Sequence, residues 1–544
     1  MTHLRITSSK IAHSPRLKSN VRSGLIFTTL ILMVAMAATP AAAQTYSVLY
    51  NFDHAHGVWP VGPLSQGRDG RVYGTTLYGG NKLSGVVFRI NPSGTPTAFY
   101  KFNHDASGGS SGLTLGQDGN FYGATWNVYT YDGTIFRITP GGSLTVLYSF
   151  TGGTDGSSPL APPIQGTDGS LYGTTSCHSD SCQANAYRIS TSGSFTLLAA
   201  LPGSSAAPLI QATDGNFYGT STSDDGTYRY GTVFKLTPQG VLTVVYKFDG
   251  APVSGPVIQG RDGNFYGTTQ GVVFKLTPRG SMTVLHTFGD PNYPNDGRNP
   301  FGGLVEATDG NFYGVTTYGG TNFEQGVIYR INSAGVYSVL YNFVEALGRQ
   351  ASSTPIQHTN GNIYGAAGMG GTNMDGVLYS LDLGLAPFVR LVSTSGKVGT
   401  PITILGQGFT GASSVSFNGT QATFKVWSDT YLKATVPSGA TTGSVTVTTA
   451  SGMLTSNQPF RVRPVILSVT PATGAAGTPV IITGTSLTQT TKVTFGGDKA
   501  AATFTVDSDT QVTATVPAGA PAGYIVLTTT GGRSRSPEAF TVTP

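Results

Sequence analysis

Short runs of alternating apolar and polar residues, four to seven positions long, fill the chain from residue 46 to residue 383. They come in groups of four. In one group they are Pro208-Leu209-Ile210-Gln211, Asn216-Phe217-Tyr218-Gly219-Thr220, Gly231-Thr232-Val233-Phe234-Lys235-Leu236 and Leu242-Thr243-Val244-Val245-Tyr246-Lys247-Phe248. Period-two alternation bounded by Gly, Pro, Asn and Asp predicts β-strands. Asp-Gly between the first two runs predicts a tight hairpin, because both residues accept positive φ at little cost. Pro-x-Gly or Ser-x-Gly between the third and fourth runs predicts a second tight turn. After residue 43 no stretch carries apolar positions at helical spacing, which excludes coiled coils and helical bundles.

The group recurs seven times. The unit Asp-Gly-x-x-Tyr-Gly begins at Asp69, Asp118, Asp168, Asp214, Asp262 and Asp309, and returns as Asn360-Gly361-Asn362-Ile363-Tyr364-Gly365, with starts 46 to 51 residues apart. Four antiparallel strands in each of seven such units predict an all-β chain with a seven-bladed β-propeller over 44–384. The seventh unit stops after its third strand, Gly376 to Leu381, whereas Tyr46 to Phe52 has the pattern of a fourth strand. The first strand is therefore expected to complete the last blade and cover its open edge. Tyr73, Tyr122, Tyr172, Tyr218, Tyr266, Tyr313 and Tyr364, together with an aromatic in every third strand, are expected to pack between blades. Gln66, Gln165, Gln211, Gln259 and Gln357 stand three residues before the turn, with Glu306 in the sixth unit and Leu115 in the second. Such a polar ring on the innermost strands could hold a ligand; the simpler expectation is that each amide satisfies backbone groups of the next blade.

From Leu385 the pattern changes. Gly399-Thr400-Pro401-Ile402-Thr403-Ile404 is echoed 78 residues later by Gly477-Thr478-Pro479-Val480-Ile481-Ile482, and Ala434-Thr435-Val436-Pro437 by Ala514-Thr515-Val516-Pro517. Two small immunoglobulin-like β-sandwiches are predicted, over 385–463 and 464–544.

Composition adds an address. The chain has 544 residues with a formal charge of +5, but Arg5, Lys10, Arg16, Lys18 and Arg22 all precede residue 44, leaving 26 basic and 26 acidic residues behind them. With no basic cluster left to neutralise phosphates, nucleic acid is not an expected partner. The basic start, the apolar stretch Leu25 to Ala38 and the small residues up to Ala43 read as a signal peptide over 1–43, so a secreted or cell-envelope location is expected, with no membrane span after cleavage. In an oxidising compartment Cys177 and Cys182 are expected to close a small disulfide; free thiols or a metal site are the alternatives.

Chemistry is harder to place. The connections Trp126 to Asp132, Ser176 to Ala184, Ser221 to Tyr230, Gly289 to Arg298 and Tyr318 to Gln325 are long and share one face of a propeller. Trp126, Tyr129, Tyr131, Tyr228, Tyr230 and Tyr318 on that face are the candidate ligand-binding residues, and exposed rings suit a carbohydrate or a surface protein. Tyr293 and Phe323 belong to the same face. No His-Glu-x-x-His metalloprotease motif occurs, no Gly-x-Ser-x-Gly elbow or phosphate loop stands at a strand-to-helix junction, and no cofactor or metal is expected. His54 and His56 beside Asp53 form a polar cluster that suits a solvated loop as well as acid/base or metal chemistry. Asp155, Asp224, Asp225, Asp290, Asp296 and Glu324 keep a glycan-active hydrolase or lyase at the channel mouth as the second reading, after a secreted or surface binding protein.

The repeat resembles the tandem GloVer repeat of exported bacterial choice-of-anchor proteins. Its motif here is Ile258-Gln259-Gly260-Arg261-Asp262-Gly263-Asn264-Phe265-Tyr266-Gly267-Thr268-Thr269, followed by Gly271-Val272-Val273-Phe274-Lys275-Leu276-Thr277-Pro278-Arg279-Gly280. The resemblance implies no catalytic residue. The two C-terminal units resemble IPT/TIG domains, which occur in surface receptors, secreted carbohydrate enzymes and transcription factors.

Overall fold

The computed structural model describes residues 44–544 except 81–83, 93, 95, 103–109, 127–132, 177–182, 205–206, 225–228, 254, 291–294 and 323–324. The expected signal segment and both cysteines lie outside the described residues. Among those described there is no α-helix; the regular elements are strands, with short 3-10 turns.

The repeat region forms seven four-stranded antiparallel sheets among the described residues. In the fourth, the order is Ile210–Gln211, Phe217–Asp224, Arg229–Leu236 and Leu242–Phe248, as the chain runs. The last sheet breaks that order. Its outer strand is Thr45–Asn51, paired antiparallel with Val377–Asp382, with Tyr46 opposite Leu381 and Ser47 opposite Ser380. The chain's two ends of the tandem array thus share one sheet.

The repeated motif can be read atom by atom. In six repeats the Tyr hydroxyl donates to the turn Asp at 2.7–3.0 Å, and the other Asp oxygen accepts the backbone N–H two residues on. Burial works against the charge of Asp262, but hydrogen bonds from Asn264, Tyr266 and Lys275 outweigh it and hold that carboxyl down to about 2. In the seventh repeat the polarity reverses, and the Asn360 amide donates to the Tyr364 hydroxyl at 2.9 Å. The motif Tyr also reaches the next sheet: Tyr73 lies 4.2 Å from the ring of Phe121, Tyr172 3.9 Å from Phe217 and Tyr266 4.1 Å from Phe312, centroid to centroid. The Gly after the Tyr leaves room for the third-strand aromatic; a Cβ on Gly74 would stand 2.5 Å from Phe88.

Cores follow the same plan, each joining two neighbouring repeats. One joins Tyr73 and Val87 of the first repeat to Phe121 and Phe136 of the second. Another joins Ile356, Tyr364 and Leu378 of the seventh to Phe52, Leu64 and Phe88 near the chain's start. His358 is fully buried at that junction; one ring nitrogen bonds the Gly70 carbonyl at 3.0 Å and the other accepts the Asn360 N–H at 3.2 Å. Burial, aided by the nearby Arg390 charge, pushes its pKa below the ordinary 6.5. The unfolded chain therefore takes up a proton below pH 6.5 that the folded chain refuses. Stability present above that pH is lost as pH falls toward 5, a window above the carboxylate titrations. Thermal melts between pH 7.5 and pH 5 should show a falling midpoint, and His358→Gln should flatten the slope there.

Beyond Leu385, the first C-terminal unit pairs a sheet of Arg390–Leu391, Pro401–Leu405, Tyr431–Thr435 and Phe424–Ser428 with one of Thr420–Gln421, Ser414–Phe417, Val445–Thr449 and Gly452–Thr455. Ile402, Ile404, Phe417, Leu432 and Val447 form the core between them. The second unit repeats the plan around Ile482, Val493, Phe495, Ile525 and Phe540.

Candidate functional site

The innermost strands line a central cavity, and in five of the seven sheets that strand is only two residues long. Six residues before the turn Asp the chain places Pro63, Pro162, Pro208 and Pro256, with Gly112, Gly303 and Thr354 in the other repeats. A proline on an inner edge has no N–H to leave unpaired, so these strands end the sheets cleanly.

Below the prolines the Gln ring acts as a set of staples. Gln211 accepts the Thr167 N–H of the preceding repeat at 2.9 Å and donates to the Gly215 carbonyl of its own turn at 2.9 Å. Gln165, Gln259 and Gln357 do the same. Gln66 closes the series on the seventh repeat, accepting from the Thr359 N–H and donating to its hydroxyl at 2.7 Å. The amides are thus committed to neighbouring backbone, as the simpler expectation had it, and none projects free toward a ligand. Where Gln is missing, arginine adds the link, although Glu306 still accepts the Arg261 N–H at 3.1 Å. Arg68 reaches the carbonyls of Gln117 and Asp118 in the second repeat, which has Leu115, and Arg261 reaches those of Ala307 and Thr308 in the sixth, which has Glu306.

The same turns seat the first C-terminal unit. The Thr430 hydroxyl donates to the Arg68 carbonyl at 2.7 Å, and the Arg68 guanidinium lies 4.7 Å over the Tyr431 ring. Arg261 Nε donates to the Asn457 carbonyl at 3.0 Å, Gln407 to the Thr359 hydroxyl at 2.9 Å, and the buried Arg461 to the Ala212 carbonyl at 3.3 Å. Contacts with repeats one, four, five and seven carry this unit across the tight-turn end of the sheets. Leu391, Val392, Leu405 and Arg390 become the floor of an inner chamber of about 360 Å³ whose walls include Leu64, Ile210, Ile258 and Ile356.

On the other side of the prolines an outer chamber of about 320 Å³ opens on the long-connection face. Trp126, Phe301, Leu77 and Leu160 frame it, with hydroxyls from Ser352, Ser353 and Thr354. Both chambers share Pro63, Pro162, Pro208, Pro256 and Thr354, so the proline level separates them.

Of the aromatic candidates, the structure places Trp126 at this mouth. Tyr230 stands away from it, its ring 3.7 Å under the Lys247 ammonium. Tyr318 is opposite Arg298 in a two-stranded ribbon, its carbonyl accepting the Thr316 hydroxyl at 2.9 Å. Tyr129, Tyr131, Tyr228, Tyr293, Phe323, Asp225 and Glu324 lie outside the described residues. Phe301, 47% exposed, was not among the candidates. Its signal was its offset: Val61, Leu160, Phe301 and Ser352 all stand eight residues before the turn Asp or Asn, and all line the mouth.

The acids and histidines are spread, not gathered. Asp155 accepts from the Thr151 N–H and hydroxyl and from Tyr148. Asp296 is buried, bonded to His286 at 2.9 Å and to the Tyr337 hydroxyl at 2.6 Å. His56 pairs with Asp53 at 2.7 Å while His54 pairs with Asp375 at 2.9 Å, so the expected cluster divides into two pairs. Among the described residues no three His, Cys, Asp or Glu side chains converge on a metal position, and no helix is long and apolar enough to cross a membrane.

Comparison with known proteins adds the following. A Gloeobacter/Verrucomicrobia repeat model matches residues 34–186, 129–271, 161–379 and 269–411, and an IPT/TIG domain model matches 387–462 and 464–542. No curated protein matches the chain. Similar solved structures include a streptogramin B lyase, at 14% identity over 62% of this chain and 97% of that one, TM-score 0.44. A gluconolactonase from Xanthomonas campestris is 13% identical over 63% and 90%, TM-score 0.35. A surface glycan-binding protein from Prevotella bryantii is 21% identical over 28% of this chain and only 41% of its own, TM-score 0.22. The Asp-Gly-x-x-Tyr-Gly turn, bonded alike from repeat to repeat, and a model match that covers most of the chain agree: this protein belongs to the Gloeobacter/Verrucomicrobia repeat family and carries two C-terminal IPT/TIG domains.

Proposed function

We propose that the seven sheets are the blades of a closed propeller over 44–384, and that the protein is a secreted or surface-displayed binding protein whose recognition face is the long-connection rim. The two IPT/TIG domains, over 385–463 and 464–544, act as end plate and spacer. The observation that carries this reading is the asymmetry of the two ends. The turn side is occupied by the first IPT/TIG domain, while the other side opens between Trp126, Phe301, Leu77 and Leu160. That mouth offers flat apolar rings beside neutral hydroxyls, the combination that stacks on and hydrogen-bonds to sugar rings. The ligand of this reading is a glycan, with a surface protein as the competing partner.

A glycan array probed with the purified protein tests it. For the best hit, Trp126→Ala and Phe301→Ala should each weaken binding at least tenfold, about 1.4 kcal/mol, with the thermal melt unchanged. Turnover of that hit, abolished by Asp155→Asn, would mark a hydrolase instead. A silent array with capture of a single surface protein would leave the rim as a protein-binding face.

A further inference from the structure

The inner chamber holds a cation with nothing to pair it. Arg390 lies in the floor, on the strand Arg390–Leu391 of the first IPT/TIG domain, and the chamber it lines is mostly apolar, with Ile210, Ile258, Ile356, Leu391 and Leu405 beside the neutral polar Ser65, Gln66, Thr114 and Thr354. Every other arginine that joins this domain to the repeats reaches a carbonyl: Arg68 those of Gln117 and Asp118, Arg261 that of Asn457, Arg461 that of Ala212. Arg390 has no such contact; its guanidinium makes no hydrogen bond or ion pair among the described residues. The titratable group that feels it is His358, which is buried and held neutral, so it supplies no counter-charge. Arg390 is half-buried at the chamber's edge, and that burial lowers its pKa. A cation in such surroundings is costly unless an anion joins it.

We propose that the inner chamber is a binding site for a small apolar molecule ending in a carboxylate. The carboxylate meets Arg390 at the floor, and the apolar body lies along the isoleucine wall. A guanidinium is matched to this task, since its fork accepts both oxygens of one carboxylate through charge-assisted bonds. The chamber's volume of about 360 Å³ lies within the range of small-molecule sites. This site is separate from the rim: it lies beyond the proline level, uses none of the mouth aromatics, and stands whether or not the rim binds a glycan.

Calorimetric titration of the whole purified protein tests the assignment with three probes: decanoate, decanol and acetate. Decanoate should bind at one site per chain, at least tenfold tighter than decanol, because only decanoate carries the charge. Acetate should bind at least a hundredfold more weakly than decanoate, because it lacks the apolar body. Arg390→Lys should keep the preference for decanoate over decanol, and Arg390→Met should erase it. If Arg390→Met does not fold, the wild-type comparison still decides. Equal affinity for decanoate and decanol, or no binding of either, overturns the proposal. So does a decanoate preference that survives in Arg390→Met.

Discussion

Deleting Thr45 to Phe52 is expected to abolish the cooperative melt of the repeat region. The segment is far from its partners in sequence yet supplies the outer strand of the last sheet. Tyr46 stacks 3.9 Å from Tyr341 and meets Tyr379 at 5.4 Å, while Phe52 is 1% exposed in the core that joins the seventh repeat to the first. Losing one buried aromatic of this kind costs about 3–5 kcal/mol. Here three aromatics, Tyr46, Tyr50 and Phe52, go together with the ladder to Val377–Asp382, whose bare edge would then invite pairing with other chains. The sum rivals the 5–15 kcal/mol that typically separates folded from unfolded chains. Circular dichroism and limited proteolysis of the truncated protein should show early, broad unfolding and rapid cleavage within the repeats. A melt and a cleavage pattern like those of the intact protein would refute ring closure by the first strand.

The second large effect is expected at the glycine that follows each motif tyrosine. Gly219 sits in extended backbone with its Cα against the third-strand ring. A Cβ there would stand 2.6 Å from both Leu209 Cδ2 and Phe234 Cζ. Neither neighbour has room to retreat, since both are buried, at 1% and 0% exposure. Forcing extra methyl groups into a packed core costs about 1–3 kcal/mol and occasionally more. Gly219→Val adds three carbons at a point where one already clashes, so a loss of at least ~3 kcal/mol is expected. Gly215, four residues earlier, makes the contrast. It turns the hairpin at φ +84° with open space where a Cβ would go. Gly215→Ala therefore meets only backbone strain, about 1–2 kcal/mol. Unfolding of the two variants in urea, side by side, should rank them in that order. The reverse order would mean that the conserved geometry of the motif lies in its turn and not in its packing.

What could be read from the chain alone was what neighbouring residues decide between themselves. Asp-Gly turns, alternating strands and the fourth-strand pattern of Tyr46 to Phe52 are local signals, and each appears in the structure where it was expected. The packing role of the motif tyrosines followed from their recurrence, because a side chain repeated in every unit must meet the same surroundings in each. The mouth was legible only in part. Trp126 was named as one aromatic among several on long connections, and nothing local distinguished it from Tyr230, which lies under Lys247, or from Tyr318, tied into a ribbon with Arg298. Phe301 was hidden because its meaning lies in an offset from a turn, and the offset matters only once the strands are arranged about an axis. The floor was not legible at all. Arg390-Leu391-Val392 reads as an ordinary opening strand, and its place beneath the chamber depends on how one folded unit docks on another through Thr430, Asn457 and Arg461. The exchange of Gln for Arg in the second and sixth repeats could have hinted at that docking, because Arg68 and Arg261 each serve both jobs.

The floor has a consequence for any long polymer. A tube open at both ends can be threaded, so that a chain slides through and is sampled along its whole length. In the propeller proposed above, Leu391, Val392 and Leu405 close one end and make it a cup. A polymer can lay its middle across the brim, but only a free tip or a short side branch can dip inside, and whatever enters must back out the way it came.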